Sequence, residues 1–258
     1  MKAKRKSQFS KYGRQDKIIF IDWIFFNCIV CTCNYCANFY IIVASFMDPV
    51  TLQNKGITFD FSKWTITAYQ RVMSNGAIWI GFKNAVIYSV VFTVVSVVVT
   101  LLVAYPMSRT DFKGRKLFNV IFVITMFFGG GLIPTYLLIS NLGLLDSMWA
   151  VILPGAFSVW NMIIAKTFMS GIPAAITESA KIDGANDIVI FIKLILPLSK
   201  PLIATLSLFS ALAYWNDWYN CMLYITKDNM FTLQYYLQRM LGNAEAMRIV
   251  AEKSGIAL

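Results

Sequence analysis

The chain has 258 residues, of which 58% are hydrophobic and 14% charged, and its mean hydropathy is +0.62. That balance excludes an ordinary soluble domain and describes an integral membrane protein whose solvent is the lipid bilayer. A net charge of +10 would suggest nucleic acid in a soluble chain, but the cations gather beside apolar segments. The charge is therefore read as a topology signal, and nucleic acid is discarded as a partner.

Residues 1 to 17 form a basic tail, with Lys2, Lys4, Arg5, Lys6, Lys11, Arg14 and Lys17 against Asp16, which assigns the N-terminus to the cytoplasm. The apolar run that follows is as long as a span, so no cleavable signal peptide is expected. A first span is predicted over about 18–46, interrupted by Asn27, Asn34 and Asn38 and ended by Asp48-Pro49. Its Cys28, Cys31, Cys33 and Cys36 are read as small apolar helix residues, with a redox pair as the alternative because CIVC and CNYC have the spacing. Zinc is rejected: the chain has no His, and four thiolates would be buried in hydrocarbon on differing faces of one helix. Residues 49 to 78 are read as an external stretch.

A second span is predicted over about 84–105, ended by Pro106, with Ser89, Thr93, Ser96 and Thr100 on one stripe. Such hydroxyls let another helix approach closely and bond back to their own backbone; a polar pathway wall is the alternative. Arg109, Lys113, Arg115 and Lys116 make the next loop cytoplasmic. A third span, about 117–140, contains Gly129-Gly130-Gly131 and Pro134, which should break the helix. A break at membrane depth is tolerated where protein or a water-filled cavity covers the freed backbone groups. Gly130 and Pro134 are thus candidate substrate-pathway residues, with a packing kink as the alternative.

A fourth span is predicted over about 148–168 and a fifth over about 202–225. The fifth carries Trp215, Asn216 and Asp217, a second candidate pathway group, because an ionisable side chain at that depth is a functional candidate by default. The competing reading is an interfacial aspartate reaching for water. Residues 226 to 258 read as external. The basic residues agree with this topology: inside segments hold 14 Lys or Arg and outside segments seven.

Between the fourth and fifth spans lies the polar loop 169–201. Within it, Pro173 suits a first helical turn and Gly184 the left-handed position after Asp183, giving one helix of about three turns. Asn186 can cap a second helix through Ile188, Ile192 and Ile195 that Pro197 should stop. The pattern is a helix–glycine–helix hairpin, which serves as a docking surface. The chain carries no energy source of its own: in Gly76 to Lys83 the lysine is one residue late for a phosphate loop and no Ser or Thr follows it. No catalytic residue, metal site or cofactor is assigned. A transporter component that borrows its energy from another subunit fits better than a hydrolase or transferase.

Glu178-Ser179-Ala180, then Gly184, then Leu194-Ile195-Leu196-Pro197 resembles the EAA loop of permease subunits from ABC importers, with Ser179 for Ala and Leu194 for Ile. IDGA at Ile182 to Ala185 and WND at Trp215 to Asp217 resemble the maltose-type carbohydrate permeases, specifically the MalG-like second subunit. FGGGLIPTY at Phe128 to Tyr136 resembles an oligosaccharide-importer subgroup. The resemblance implies an all-α polytopic membrane fold of the type I ABC importer kind, in a multi-pass protein of the bacterial cell membrane. Its implied partners are a second permease subunit, an ATP-binding cassette ATPase dimer, an extracellular solute-binding protein, a carbohydrate substrate and the lipid bilayer. It also implies that Glu178, Ser179, Ala180, Ile182, Asp183, Gly184, Leu196 and Pro197 couple to the ATPase. Members of this group resemble six-span proteins, so the reading of five spans leaves the last one missing. Two other functions are weighed beside this one, a membrane thiol oxidoreductase using Cys28 to Cys36 and a truncated, non-functional permease remnant.

Overall fold

In the computed structural model, residues 14–48, 56 and 64–254 are described. The basic tail up to Gly13, most of the stretch 49–63 and the chain end from Gly255 lie outside the described residues. Every regular element among the described residues is helical, apart from one isolated bridge between Met47 and Trp64. The chain divides into two units, Met1–Ser74 and Asn75–Leu258.

In the first unit, α1 spans Arg14–Ser45 and α2 spans Thr67–Ser74. Two asparagines of α1, Asn34 and Asn38, are accommodated by their own backbone. The Asn34 amide donates to the Val30 carbonyl at 2.8 Å and the Asn38 amide to that of Asn34 at 2.9 Å. Side-chain groups that bond back one turn present less polarity to the surroundings. Just past α1, Phe46 stacks on Trp64 at 5.9 Å between ring centroids and tilts against Tyr69 at 5.2 Å.

The second unit is built on α3, Gly76–Ser108, whose 33 residues span about 50 Å at 1.5 Å per residue. Asn75 caps it by accepting from the Ala77 N–H. Pro106 does not end the helix as expected but sits in its last turn; a proline there removes one backbone bond where little ladder remains to lose. Next come α4 (Arg115–Phe127), α5 (Leu132–Asn141), α6 (Met148–Ile152), α7 (Val159–Ser170), α8 (Ala174–Ile182), α9 (Asp187–Leu198), α10 (Lys200–Trp215), α11 (Tyr219–Tyr224) and α12 (Leu233–Ser254).

Among the described residues, two helices are long and apolar enough to cross a membrane, Phe26–Ser45 within α1 and α3; the number rises to five if each bent pair is one span. The pairs are α4 with α5 at 108°, Met148–Gly155 with α7 at 53°, and α9 with α10 at 78°. The sharpest bend falls at the triple glycine, where Gly131 takes φ +86°, a conformation that strains any residue with a Cβ. The sequence had suggested one helical run over 202–225, but α10 stops at Trp215 and α11 begins at Tyr219.

The stripe on α3 packs inward: Ser89, Ser96 and Thr100 are buried, and the Thr93 hydroxyl donates to the Ser89 carbonyl at 2.6 Å. One core joins Val97, Leu101 and Ala104 of α3 to Met162 and Ala165 of α7, Ile190 and Ile195 of α9, and Leu202 and Leu206 of α10. A second joins Tyr88 and Phe92 of α3 to Val151 and Ile152, Tyr214 and Cys221. The polar hairpin therefore shares an apolar core with the spans, through its fully buried Ile190.

Candidate functional site

The hairpin is fixed by local chemistry first. The end of α8 closes with two bonds, from the Gly184 N–H to the Lys181 carbonyl at 3.0 Å and from the Ala185 N–H to the Ala180 carbonyl at 2.9 Å. This paired arrangement needs a left-handed residue after the cap, and Gly184 supplies it at φ +80°. Asn186 then caps α9, its side-chain Oδ1 accepting from the Val189 N–H at 2.8 Å. Pro173 precedes α8 as its cap residue instead of lying in the first turn.

Pro197 does not stop α9. Over Phe191–Ile195 the helix widens to the π form, the Leu196 N–H reaching the Phe191 carbonyl, and it runs on to Leu198 before the 78° bend. The wider turn carries a proline that cannot donate to the carbonyl four residues back and whose ring would crowd it. Leu196 and Pro197 thus lie in the last turn before that bend.

Glu178, Ser179 and Asp183 are exposed, and Ile182 is 87% exposed at the tip of the hairpin, followed by Ile188 at 68%. Ala180 turns the other way and packs against the core. An isoleucine left that bare beside small and acidic residues forms an unpartnered apolar knob. Glu178 and Thr177 also border a cleft of about 270 Å³ whose far wall is Tyr105, Arg109 and Asp111.

That far wall escaped the sequence reading. The Arg109 guanidinium donates to Asp187 Oδ1 at 2.6 Å, to the Tyr105 hydroxyl at 3.0 Å and to both oxygens of Asp111 at 2.9 and 2.5 Å. Asp111 Oδ2 also accepts from Lys181 Nζ at 3.1 Å. Arg109, foremost, and Lys181 hold the Asp111 carboxyl well below the usual carboxylate range, while the bond to Asp111 pushes the Arg109 guanidinium up. The sequence signals this wall only in part: Arg109 doubles as a topology charge, Asp111 is an exposed acid in a polar loop, and Asp187 is an exposed acid that opens α9.

The candidate pathway residues fall elsewhere. Gly130 and Pro134 lie exposed at the break between α4 and α5. Trp215 meets Phe82 edge-on at 5.8 Å, and Asn216 donates to the Leu212 carbonyl and accepts from Gln234 at 3.4 Å. Asp217 accepts from the Asn220 backbone N–H at 3.1 Å and from its amide at 2.8 Å, which starts α11. Each member of the WND group thus has a local structural partner. Cys28, Cys31, Cys33 and Cys36 are free and exposed on α1, and among the described residues no His, Cys, Asp or Glu cluster could hold a metal ion.

These elements define a helical membrane protein with broken spans and an exposed hairpin rooted in its core. No family model matches the chain. It is 40% identical over 209 residues to the polygalacturonan/rhamnogalacturonan transport system permease protein YtcP of Bacillus subtilis, covering 81% of this chain and 73% of that protein. It is 31% identical to the arabinooligosaccharides transport system permease protein AraQ of Halalkalibacterium halodurans, with 78% and 74% covered. Among solved structures it matches a chain of a bacterial ABC transporter involved in the import of the acidic polysaccharide alginate, with a TM-score of 0.81 and 30% identity over 88% of this chain and 81% of that one. The chain belongs to the permease subunits of sugar ABC transporters, which are multi-pass membrane proteins and not enzymes. The thiol-oxidoreductase reading is thereby set aside.

Proposed function

We propose that this permease subunit forms half of the translocation pathway of an ATP-driven oligosaccharide importer and receives the ATPase stroke through the α8–Gly184–α9 hairpin. The observation that carries the coupling role is the hairpin itself: Glu178, Ser179 and Ile182 are exposed at its tip while Ile190 is buried among α3, α7 and α10. A push on the tip is therefore delivered to the spans. The excess of basic residues in the tail, the 109–116 loop and the hairpin supports a cytoplasmic N-terminus and a cytoplasmic hairpin, the side where ATP is available. The partners are a second permease subunit, an ATPase dimer and an extracellular solute-binding protein.

The relatives named for polygalacturonan, arabinooligosaccharides and alginate favour an oligosaccharide substrate, with acidic sugars the first to try. The test is uptake by cells expressing the importer, with galacturonan-derived and neutral arabinan-derived oligosaccharides as competitors. Competition by the acidic set, lost with Glu178→Lys, supports the proposal; transport of monosaccharides alone contradicts it. The ATPase should co-purify with the wild-type permease and be lost or weakened with Ile182→Asp.

A further inference from the structure

Tyr105 lies in the last turn of α3 and Arg109 is the residue just past its end, its guanidinium bonded to the Tyr105 hydroxyl. Asp187 and Phe191 lie four residues apart on α9, a spacing that puts them on one helix face. The two pairs meet ring to ring and charge to charge: Tyr105 and Phe191 are 4.8 Å apart between centroids, and Arg109 bonds Asp187 at 2.6 Å. The guanidinium also lies 5.7 Å from the Tyr105 ring centroid and grips Asp111 with a second edge, whose carboxylate in turn holds Lys181 of α8. Both helices of the hairpin are thus tied to Arg109, α9 directly through Asp187 and α8 through Asp111, just past the end of the longest helix in the second unit.

We propose that Arg109 is a positioning residue that makes the hairpin and α3 move as one body. This rests on the hairpin being the ATPase-facing coupler. Its aspartate partners are 55% and 64% exposed, and ion pairs in water stabilise a fold only slightly. What they offer here is geometry. The guanidinium is a rigid planar fork that fixes direction at several acceptors at once, which a lysine ammonium cannot do. Because α3 packs against α7 and α10 along the core, a displacement entering at Asp187 and Lys181 passes into the whole bundle.

Hydrogen exchange on the complete importer, nucleotide-free and with magnesium ATP, separates the steps. In the wild type, ATP should change exchange in Ala174–Ile182 and in residues 104–111. In Arg109→Ala and Asp187→Ala the change in the hairpin should persist while that in 104–111 falls at least twofold, Arg109→Lys should resemble Arg109→Ala, and Asp187→Glu should restore the wild-type response. If Arg109→Ala fails to assemble, Arg109→Lys against Asp187→Glu decides the same question. An unchanged ATP response at 104–111 in the variants overturns the role of Arg109 and leaves the coupler reading standing. A wild-type hairpin that does not respond to ATP overturns the coupler reading itself.

Discussion

Tyr105 and Phe191 meet at 4.8 Å with ring planes 34° apart, so an aromatic contact, and not only charge, holds the polar hairpin to α3. Such pairs contribute about 0.5–1.5 kcal/mol beyond their buried area. A double-mutant cycle of Tyr105→Leu and Phe191→Leu should return a coupling energy in that range by unfolding in detergent. A coupling near zero would mean that the rings merely lie side by side.

Gly155 packs against the Tyr214 ring: a Cβ there would sit 2.5 Å from the Tyr214 hydroxyl, which donates to the Val151 carbonyl at 2.8 Å. Gly155→Ala should therefore destabilise the protein by about 1–3 kcal/mol, the usual cost of overpacking. Adding Tyr214→Phe removes the clashing oxygen, so the double variant should melt above Gly155→Ala alone. If both melt together, the clash is relieved in another way.

Asp146 takes a left-handed φ of 56° in the turn between α5 and α6, and its carboxylate accepts from the Thr226 N–H at 2.6 Å and the Thr226 hydroxyl at 2.8 and 2.9 Å. Those bonds, the backbone one first, hold its carboxyl below the usual range. A lowered value means that the contribution is present above the unfolded pKa of about 4 and is lost as pH falls through the folded one. The melting temperature of the wild type should therefore drop more steeply below about pH 4 than that of Asp146→Asn, which lacks the charge. Asp146→Val should melt lowest of the three at neutral pH, because a β-branched residue resists that φ. Parallel acid profiles for wild type and Asp146→Asn would contradict this.

Gly184 carries φ +80°, and a Cβ there would meet nothing within 4 Å. The cost of substitution is then backbone strain alone, about 1–2 kcal/mol for alanine. Asparagine, which tolerates this region, should cost less than alanine and valine more. The order is checked by thermal unfolding, and equal melting temperatures would show that the hairpin turns without a left-handed residue.

The hairpin was legible in the sequence because its punctuation is local: Gly184 and Asn186 act on backbone groups within five residues. The break at Gly131 was legible for the same reason. Three features were not. Arg109 and Asp187 are 78 positions apart, and Asp111 and Lys181 are 70, so nothing in their neighbourhoods announces the pairing. The π turn at Phe191–Ile195 is masked because Ile188, Ile192 and Ile195 satisfy ordinary helical spacing. The WND group drew attention as a charge at depth, whereas its aspartate starts a short helix, a role visible only once the break after Trp215 is known.

The central claim, that the hairpin couples the permease to ATP hydrolysis, is tested most directly by the ATPase activity of the complete importer in liposomes with its loaded binding protein. Glu178→Lys and Ile182→Asp alter exposed side chains that contribute little to the core, so they leave the fold intact while changing the docking surface. Stimulation by the binding protein should fall at least tenfold in both. Stimulation at the wild-type level in both would contradict the account.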